Sequence, residues 1–324
     1  MQGQQSFADI EYGNRKRRTK RDEFLAVMEE VVPWSEWIAL VEPYYPCGKR
    51  GRPPRGVETM LRMYLLANWF NLSDEGVEEA IYDSYAFRKF MRVDFLGEEQ
   101  VPDATTLCKF RKLLHENGIT EQIFSAIRDF LDQHGRMMHG GSIVDATIID
   151  APTSTKNAQH QRDEEMHSVK KGNQWYFGER IHIGVDAGSG YIHSMEVTAA
   201  HVSERDIVPE LIREDDRILY GDAGYTGLAK RPEFQEDAHL SALDHRVNNR
   251  NRLHWKGTAP GFDWDRYIEY QKSRVRSKVE YVFFIIKQIL RYRKVRYRGI
   301  AKNKSHAFIL CACANLYMLA HSGW

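Results

Sequence analysis

Between residues 57 and 134 the apolar positions fall three and four apart. Val57, Met60, Leu61, Tyr64 and Leu65 share one helical stripe. Ser73, ahead of Glu75 and Gly76, has the character of an N-cap. A third helix opens after Pro102 with Asp103 as its cap, runs through TTLCKFRKLLHENG and stops at Gly118. Leu107, Phe110, Leu113 and Leu114 form its apolar face. From residue 141 the pattern changes. Ser142–Ile149 (SIVDATII) is a β-rich run, and Ile181–Val185 and Tyr191–Val197 flank the hairpin turn Asp186-Ala187-Gly188-Ser189-Gly190. Glu204–Arg213 is predicted as a short helix, and Arg217–Tyr220 as a strand ending at Gly221-Asp222. A long helix is predicted from about Trp264 to Tyr292. Strand, hairpin, helix and strand in that order predict a mixed α/β sheet. The expected organisation is a helical N-terminal domain over 1–135 and an α/β domain over 141–324, with an insertion around 226–264.

The last 20 residues, Ser305–Trp324, carry no Lys, Arg, Asp or Glu, and have the length of a membrane span. They also contain Ser305, His306, Asn315, His321 and Ser322, which fits a buried helix better. The opening residues lack the apolar stretch of a signal peptide, and the four cysteines form no C-x-x-C pair. Both point to a cytoplasmic protein without a disulfide framework or a structural zinc site.

Charge alters this picture once it is located. The formal net charge is +1. From Gln271 to Lys304, however, twelve basic residues stand against one acid, Glu280, a local charge of +11. The remainder must sum to −10. A near-neutral total therefore hides a basic segment of the kind that meets nucleic acid. Two further basic runs lie near the N-terminus. One is Arg15–Arg21, with Arg15, Lys16, Arg17 and Arg18 in series. The other, Lys49–Arg55, contains Gly51-Arg52-Pro53, which is either a minor-groove hook built on Arg52 or a linker stiffened by Pro53 and Pro54. The helix after Pro102 carries Lys109, Arg111 and Lys112 at its polar start. It is either the recognition helix of a helix-turn-helix or an ordinary amphipathic helix.

Three acids stand out by context. Asp145 interrupts the apolar strand of Ile143, Val144, Ile148 and Ile149, and Asp222 ends another strand. A carboxylate in an apolar strand is costly unless it is paired or holds a cation. Asp222 has a second reading, as the cap of the turn Ala223-Gly224-Tyr225. The third acid is Glu280. At about 100° per residue from Arg276, Glu280 falls at about 40°, Lys287 at about 20° and Ser273 at about 60°. Val275, Val279, Val282 and Ile286 gather on a separate face. Three carboxylates without a histidine cluster suit hard cations, Mg²⁺ or Mn²⁺. Two such ions would activate a water and stabilise the leaving oxygen of a phosphodiester. Arg276 and Lys287 would then hold phosphates. Arg291, Arg293, Lys294, Arg296 and Arg298, with Tyr292 and Tyr297, would track a DNA backbone.

Several long motifs, in order, resemble the bacterial insertion-sequence DDE transposases of the IS-five family. PWSEWIALVEPYYP with GKRGRPP, LSDEGVEEAIYDSYAFRKFM and VPDATTLCKFRKLL resemble that family's N-terminal domain. IVDATIIDAPTSTKN resembles the segment of the first catalytic Asp, WYFGERIHIGVD and VTAAHVSERD the intervening strands, and YGDAGYTG the segment of the second Asp. SRVRSKVEYVFFIIK and YRKVRYRGIAKN resemble the region of the Glu. The resemblance implies a ribonuclease-H-like catalytic core behind an all-helical DNA-binding domain. It makes Asp145, Asp222 and Glu280 the metal-binding triad, with Arg276 and Lys287 in the Y-(2)-R-(3)-E-(6)-K signature. The first signature position is Ser273 rather than Tyr. It further implies a homodimer that binds terminal inverted repeats of double-stranded DNA, cleaves the ends and joins 3′-OH ends to target DNA. Related transposases hold a flipped base on the insertion between the second Asp and the Glu. Trp255 is the candidate there, either stacked on such a base or packed against the core; Trp175 and Tyr176 are weaker ones. A nuclease that cuts without joining, and a regulator that only binds DNA, are the alternatives. A strand-transfer assay on pre-cleaved ends tests the first, and a nicking assay tests the second.

Overall fold

The structure is a computed structural model, and it describes residues 12–48, 53–93, 100–158, 160–249 and 264–321. The chain divides into two compact units. One comprises Met1–Ile119 with Leu316–Trp324, the other Thr120–Asn315. The division falls one helix earlier than the 135/141 boundary that the sequence pattern suggests.

The helices of the first unit follow the periodicity that predicts them. They are α1 (Lys20–Val31), α2 (Trp34–Val41), α3 (Val57–Trp69), α4 (Asp74–Asp83), α5 (Tyr85–Met91) and α6 (Ala104–Glu116). Ser73 caps α4 by accepting from the Gly76 amide at 3.0 Å, and Asp103 caps α6 by accepting from Thr106 at 2.6 Å. After α6 the chain turns at Gly118, whose φ of 63° favours glycine. Leu107, Phe110 and Leu114 are buried, as the stripe requires. A charge holds the centre of this unit. Arg62 of α3 is fully buried and donates to Glu29, to Glu58 and to the Phe90 carbonyl, with its guanidinium 4.0 Å from the Trp34 ring centroid. A buried cation is tolerated there because every side of it is paired.

The second unit opens with α7 (Ile119–Gln133) and continues into a six-stranded sheet. Its strands are β1 (Gly141–Asp150), β2 (His167–Lys171), β3 (Gln174–Asp186), β4 (Ile192–Ala199), β5 (Ile218–Gly221) and β6 (Asp244–Val247). β1 pairs antiparallel with β3, and β3 pairs antiparallel with β4. β1 pairs parallel with β5, and β5 parallel with β6. β2 takes the first part of the β3 edge, where Gln174–Gly178 face it. Between β4 and β5 the predicted helix is a 3₁₀ turn, Glu204–Ile207, running into α8 (Val208–Leu211). Val144, Val208, Leu211, Leu219, Tyr225 and Phe234 fill a core on one face of the sheet. The chain after β5 forms α9 (Pro232–Glu236) and α10 (Ala238–Ser241) before β6.

One helix and most of a second complete this unit. α11 (Trp264–Phe284) packs on β1 and β5 and continues as a π-helical turn, Ile285–Ile289, rather than as α-helix to Tyr292. α12 (Ile300–His321) buries Ala307–Leu316 without a break, so the charge-free C-terminal segment is a core helix. No helix among the described residues is long and apolar enough to cross a membrane. All four cysteines are free, with Cys47 and Cys108 exposed.

Candidate active site

The parallel register of β1 and β5 sets the first two acids side by side. Ile143 lies opposite Tyr220, so two residues further on each strand reach Asp145 and Asp222 at the same level. Asp145 stays within β1, opposite Ile183 of β3. Asp222 leaves the sheet and caps the 3₁₀ turn Ala223–Tyr225, its Oδ1 accepting from the Gly224 amide at 2.7 Å. A Cβ on Gly224 would lie 2.7 Å from that oxygen, so a larger residue there would displace the carboxylate. The capping role of Asp222 is real, and it fixes the carboxylate beside Asp145.

α11 brings the third acid across the sheet. Val279, Val282 and Phe283 are buried against it, which leaves Arg276 and Glu280 on the flank nearest Asp145. Arg276 Nη1 lies 3.4 Å from Glu280 Oε1 and 3.8 Å from Asp145 Oδ2. Its Nε is buried without a hydrogen-bond partner among the described residues. The Glu280 side chain is 59% exposed. A pair between neighbouring helical turns with so open a carboxylate contributes only about 0.3–0.5 kcal/mol, so the guanidinium is weakly held.

Asp145 is the most perturbed carboxyl of the group. Burial pushes it up to about 7, and the charges of Asp222, Glu204 and Glu280 add to the effect, against a 2.8 Å hydrogen bond from the Ala146 amide that lowers it. Glu204 is the residue that sequence reasoning missed. It opens the 3₁₀ turn after β4, 3.2 Å from Arg180 of β3, and receives a hydrogen bond from the buried Tyr225 hydroxyl. The neighbouring Arg205 Nε donates to the Gly224 carbonyl at 2.6 Å, tying this turn to the turn of Asp222. Among the described residues no three Asp, Glu, His or Cys side chains converge closely enough to hold a metal ion. Arg276 stands between Asp145 and Glu280 instead.

Lys287 lies seven residues after Glu280, beyond the end of α11. It sits in the π turn, where the phase of the α-helix is lost, and its Nζ donates to the Ile148 carbonyl of β1 at 2.8 Å. Burial lowers its pKa. Ser273, at the usual tyrosine position, accepts from Asn248 Nδ2 at 3.1 Å.

The predicted DNA-facing residues fall into several groups. Arg15, Lys16, Arg17 and Arg18 are exposed, with the Arg15 guanidinium 3.9 Å from the Tyr12 ring centroid. Lys109 is exposed on α6, whereas Arg111 is held by Asp74 at 2.6 Å and Lys112 lies 3.5 Å from Glu116. Arg52 and Trp255 lie outside the described residues. Arg291, Lys294 and Arg298 are exposed and Arg296 is half-buried. Arg293 donates to the Lys287 carbonyl at 3.1 Å. Tyr292 is not part of that surface: it is buried, and its hydroxyl donates to Glu179 at 3.1 Å. The stretch 291–295 runs along the end of β1, Val295 N donating to Asp150 O at 2.9 Å, and this turns Tyr292 inward. Trp175 is 67% exposed at the tip of the β2–β3 hairpin.

Two family profiles cover most of the chain. Residues 14–113 match the family described as "Transposase domain (DUF772)", and residues 136–316 match the "Transposase DDE domain". Among solved structures, the chain is similar to a piggyBac transposase synaptic complex with hairpin DNA. The identity is 12% and the TM-score 0.44, over 92% of this chain and 72% of that one. DDE transposases act on DNA and generally use divalent metal ions. The DDE profile alone spans more than half of the residues, so the chain belongs to the transposase DDE family and is a DNA transposase.

Proposed function

We propose that this transposase is an insertion-sequence enzyme of the IS-five type, and that Asp145, Asp222 and Glu280 are its metal ligands. The observation that carries this reading is the parallel register that levels Asp145 with Asp222 beneath Arg276 and Glu280. The sheet supports a ribonuclease-H-like core: antiparallel strands first, then parallel strands beside β1.

The donor chemistry, though not the present spacing of the three carboxylates, suits Mg²⁺ or Mn²⁺. All three side chains offer hard oxygen. The Asp145 side chain is largely buried, and the described ion-pair partner of its Oδ2, Arg276 at 3.8 Å, is beyond hydrogen-bond reach. That oxygen is a carboxylate position short of a cation. A pair of bound divalent ions supplies Lewis-acid activation of water and charge stabilisation for the leaving 3′-oxygen. The chain does the rest. Asp145 gives up its proton so that its carboxylate can serve as a ligand. Arg276, held only by weak pairs, turns from the acids to a phosphate oxygen, where a bidentate guanidinium fits best. Lys287 fixes the end of β1 through Ile148.

The substrate is double-stranded DNA: the element's terminal inverted repeats, and then target DNA joined to the 3′-OH ends. A homodimer is the acting species. The first unit carries the exposed Arg15–Arg18 run and Lys109 for repeat binding, and Arg52 enters a minor groove. Lys294, Arg291, Arg296 and Arg298 follow the backbone of the duplex, and Trp255 holds a flipped base. Its DNA substrate puts its work in the bacterial cytoplasm, with the nucleoid.

Asp145→Ala and Asp222→Ala are expected to abolish Mg²⁺-dependent cleavage of a terminal-repeat duplex, with binding of that duplex within about twofold of wild type. Wild-type cleavage by either variant overturns the assignment.

A further inference from the structure

Six of the ten exposed large apolar side chains among the described residues lie on one helix, α11. Its buried face, with Val279, Val282 and Phe283, already packs on the sheet. With Arg276 at 0° and about 100° per residue, Glu280 lies at about 40°, Phe284 at about 80°, Tyr270 at about 120°, Tyr281 at about 140° and Arg274 at about 160°. The catalytic flank and the exposed aromatic stripe are therefore adjacent strips of one surface. Tyr281 follows Glu280 directly, and Phe284 stands one turn beyond it. The Tyr281 and Phe284 rings are nearly parallel, 13° apart with centroids at 6.3 Å, and are 46% and 49% exposed. Tyr270 is 62% exposed further along.

We propose that this strip of α11, centred on Tyr281 and Phe284, is a stacking platform for an unpaired base of the DNA strand beside the scissile phosphate. Three features select this occupant. The strip is continuous with the site at Glu280. It contains rings, arginine and Ser277, with no carboxylate and no aliphatic side chain, a composition suited to the π-face of a base and to a phosphate. Arg274 is exposed on it and forms no ion pair among the described residues, leaving a positive charge for a phosphate. A flat ring stacks on any base, so the platform would hold the strand end without reading its sequence. The inference rests on the assignment of Glu280 to the catalytic site.

The test uses the full chain and two oligonucleotides: a blunt terminal-repeat duplex, and the same duplex with a single-stranded arm at the cleavage position carrying 2-aminopurine. For Tyr281→Ala/Phe284→Ala, affinity for the armed duplex should fall about tenfold or more while affinity for the blunt duplex stays unchanged. The Tyr281→Phe/Phe284→Tyr pair should keep the wild-type preference. In wild type, an arm carrying 5-iododeoxyuridine should photo-cross-link to Tyr281 or Phe284, a readout that needs no variant. Equal affinities, or cross-links confined to other residues, overturn the platform. So does a variant that changes sedimentation but not armed-duplex binding, which would make the strip a contact between two copies. Glu280→Ala separates the two readings. Full cleavage by that variant removes the catalytic assignment, while lost cleavage with intact arm binding upholds it.

Discussion

At the scale of single residues, the proposed ligand role of Asp145 turns on its proton. Its carboxyl is pushed to about 7, first by burial and then by three neighbouring negative charges. A cation can bind only the deprotonated form. Below pH 7 binding must displace the Asp145 proton, and above it that carboxylate is already ionised. The Mn²⁺ concentration for half-saturation should therefore fall about tenfold per unit as pH rises towards 7, then level off. Calorimetric titration with Mn²⁺ at pH 5.5, 6.5 and 7.5 measures this, and a pH-independent affinity refutes it. Asp145 was legible in the sequence because an acid among Ile and Val needs a reason. Glu280 stood out because it is the one acid between Gln271 and Lys304. Glu204 was not. It stands in a run of polar residues, SERD, and reaches the Asp145 group only because β3 supplies Arg180 and the Asp222 turn supplies Tyr225. Nothing along the chain signals that meeting. Tyr292 misled for the opposite reason: flanked by arginines it reads as surface, while its ring is buried and its hydroxyl bonds Glu179.

At the scale of elements, periodicity served where one period held throughout. β1 and the β3–β4 hairpin follow from β-branched runs and a DAGSG turn, and α3 and α6 from their apolar stripes. β2 and β6 did not follow, because HSVKK and DHRV are short and mostly outside the core, and pairing rather than burial makes them strands. The long helix held to Phe284 and then changed form. Within the π turn Lys287 donates to the Ile148 carbonyl. Lys287→Met should leave that acceptor without its partner, costing about 1–3 kcal/mol. At about 2–4 °C per kcal/mol, a drop of several degrees in Tm is expected. An unchanged Tm with lost cleavage would instead mean that the ammonium acts on the substrate.

At the scale of the whole molecule, the basic segment is less available than its charge implies. Lys272, Arg276 and Lys304 are paired with Glu269, Glu280 and Glu196, and Lys278 and Lys287 are spent on backbone carbonyls. Counterion release depends on charges that reach phosphates, not on charges in the sequence. Lys294→Ala should reduce the slope of log affinity against log salt by about 1, and Lys304→Ala should leave it unchanged. Binding isotherms on the terminal-repeat duplex at several salt concentrations decide this, and equal effects of the two variants contradict it. The division of the chain bears on a different matter, its synthesis. Leu316–Trp324 belong with Met1–Ile119, and the Tyr317 ring lies 6.4 Å from that of Phe24. A ribosome releases Phe24 early and Tyr317 only after the whole sheet has emerged. The helical unit, first to leave the tunnel, is thus the last to be completed, and a nascent chain cannot present a finished helical unit before its catalytic sheet exists.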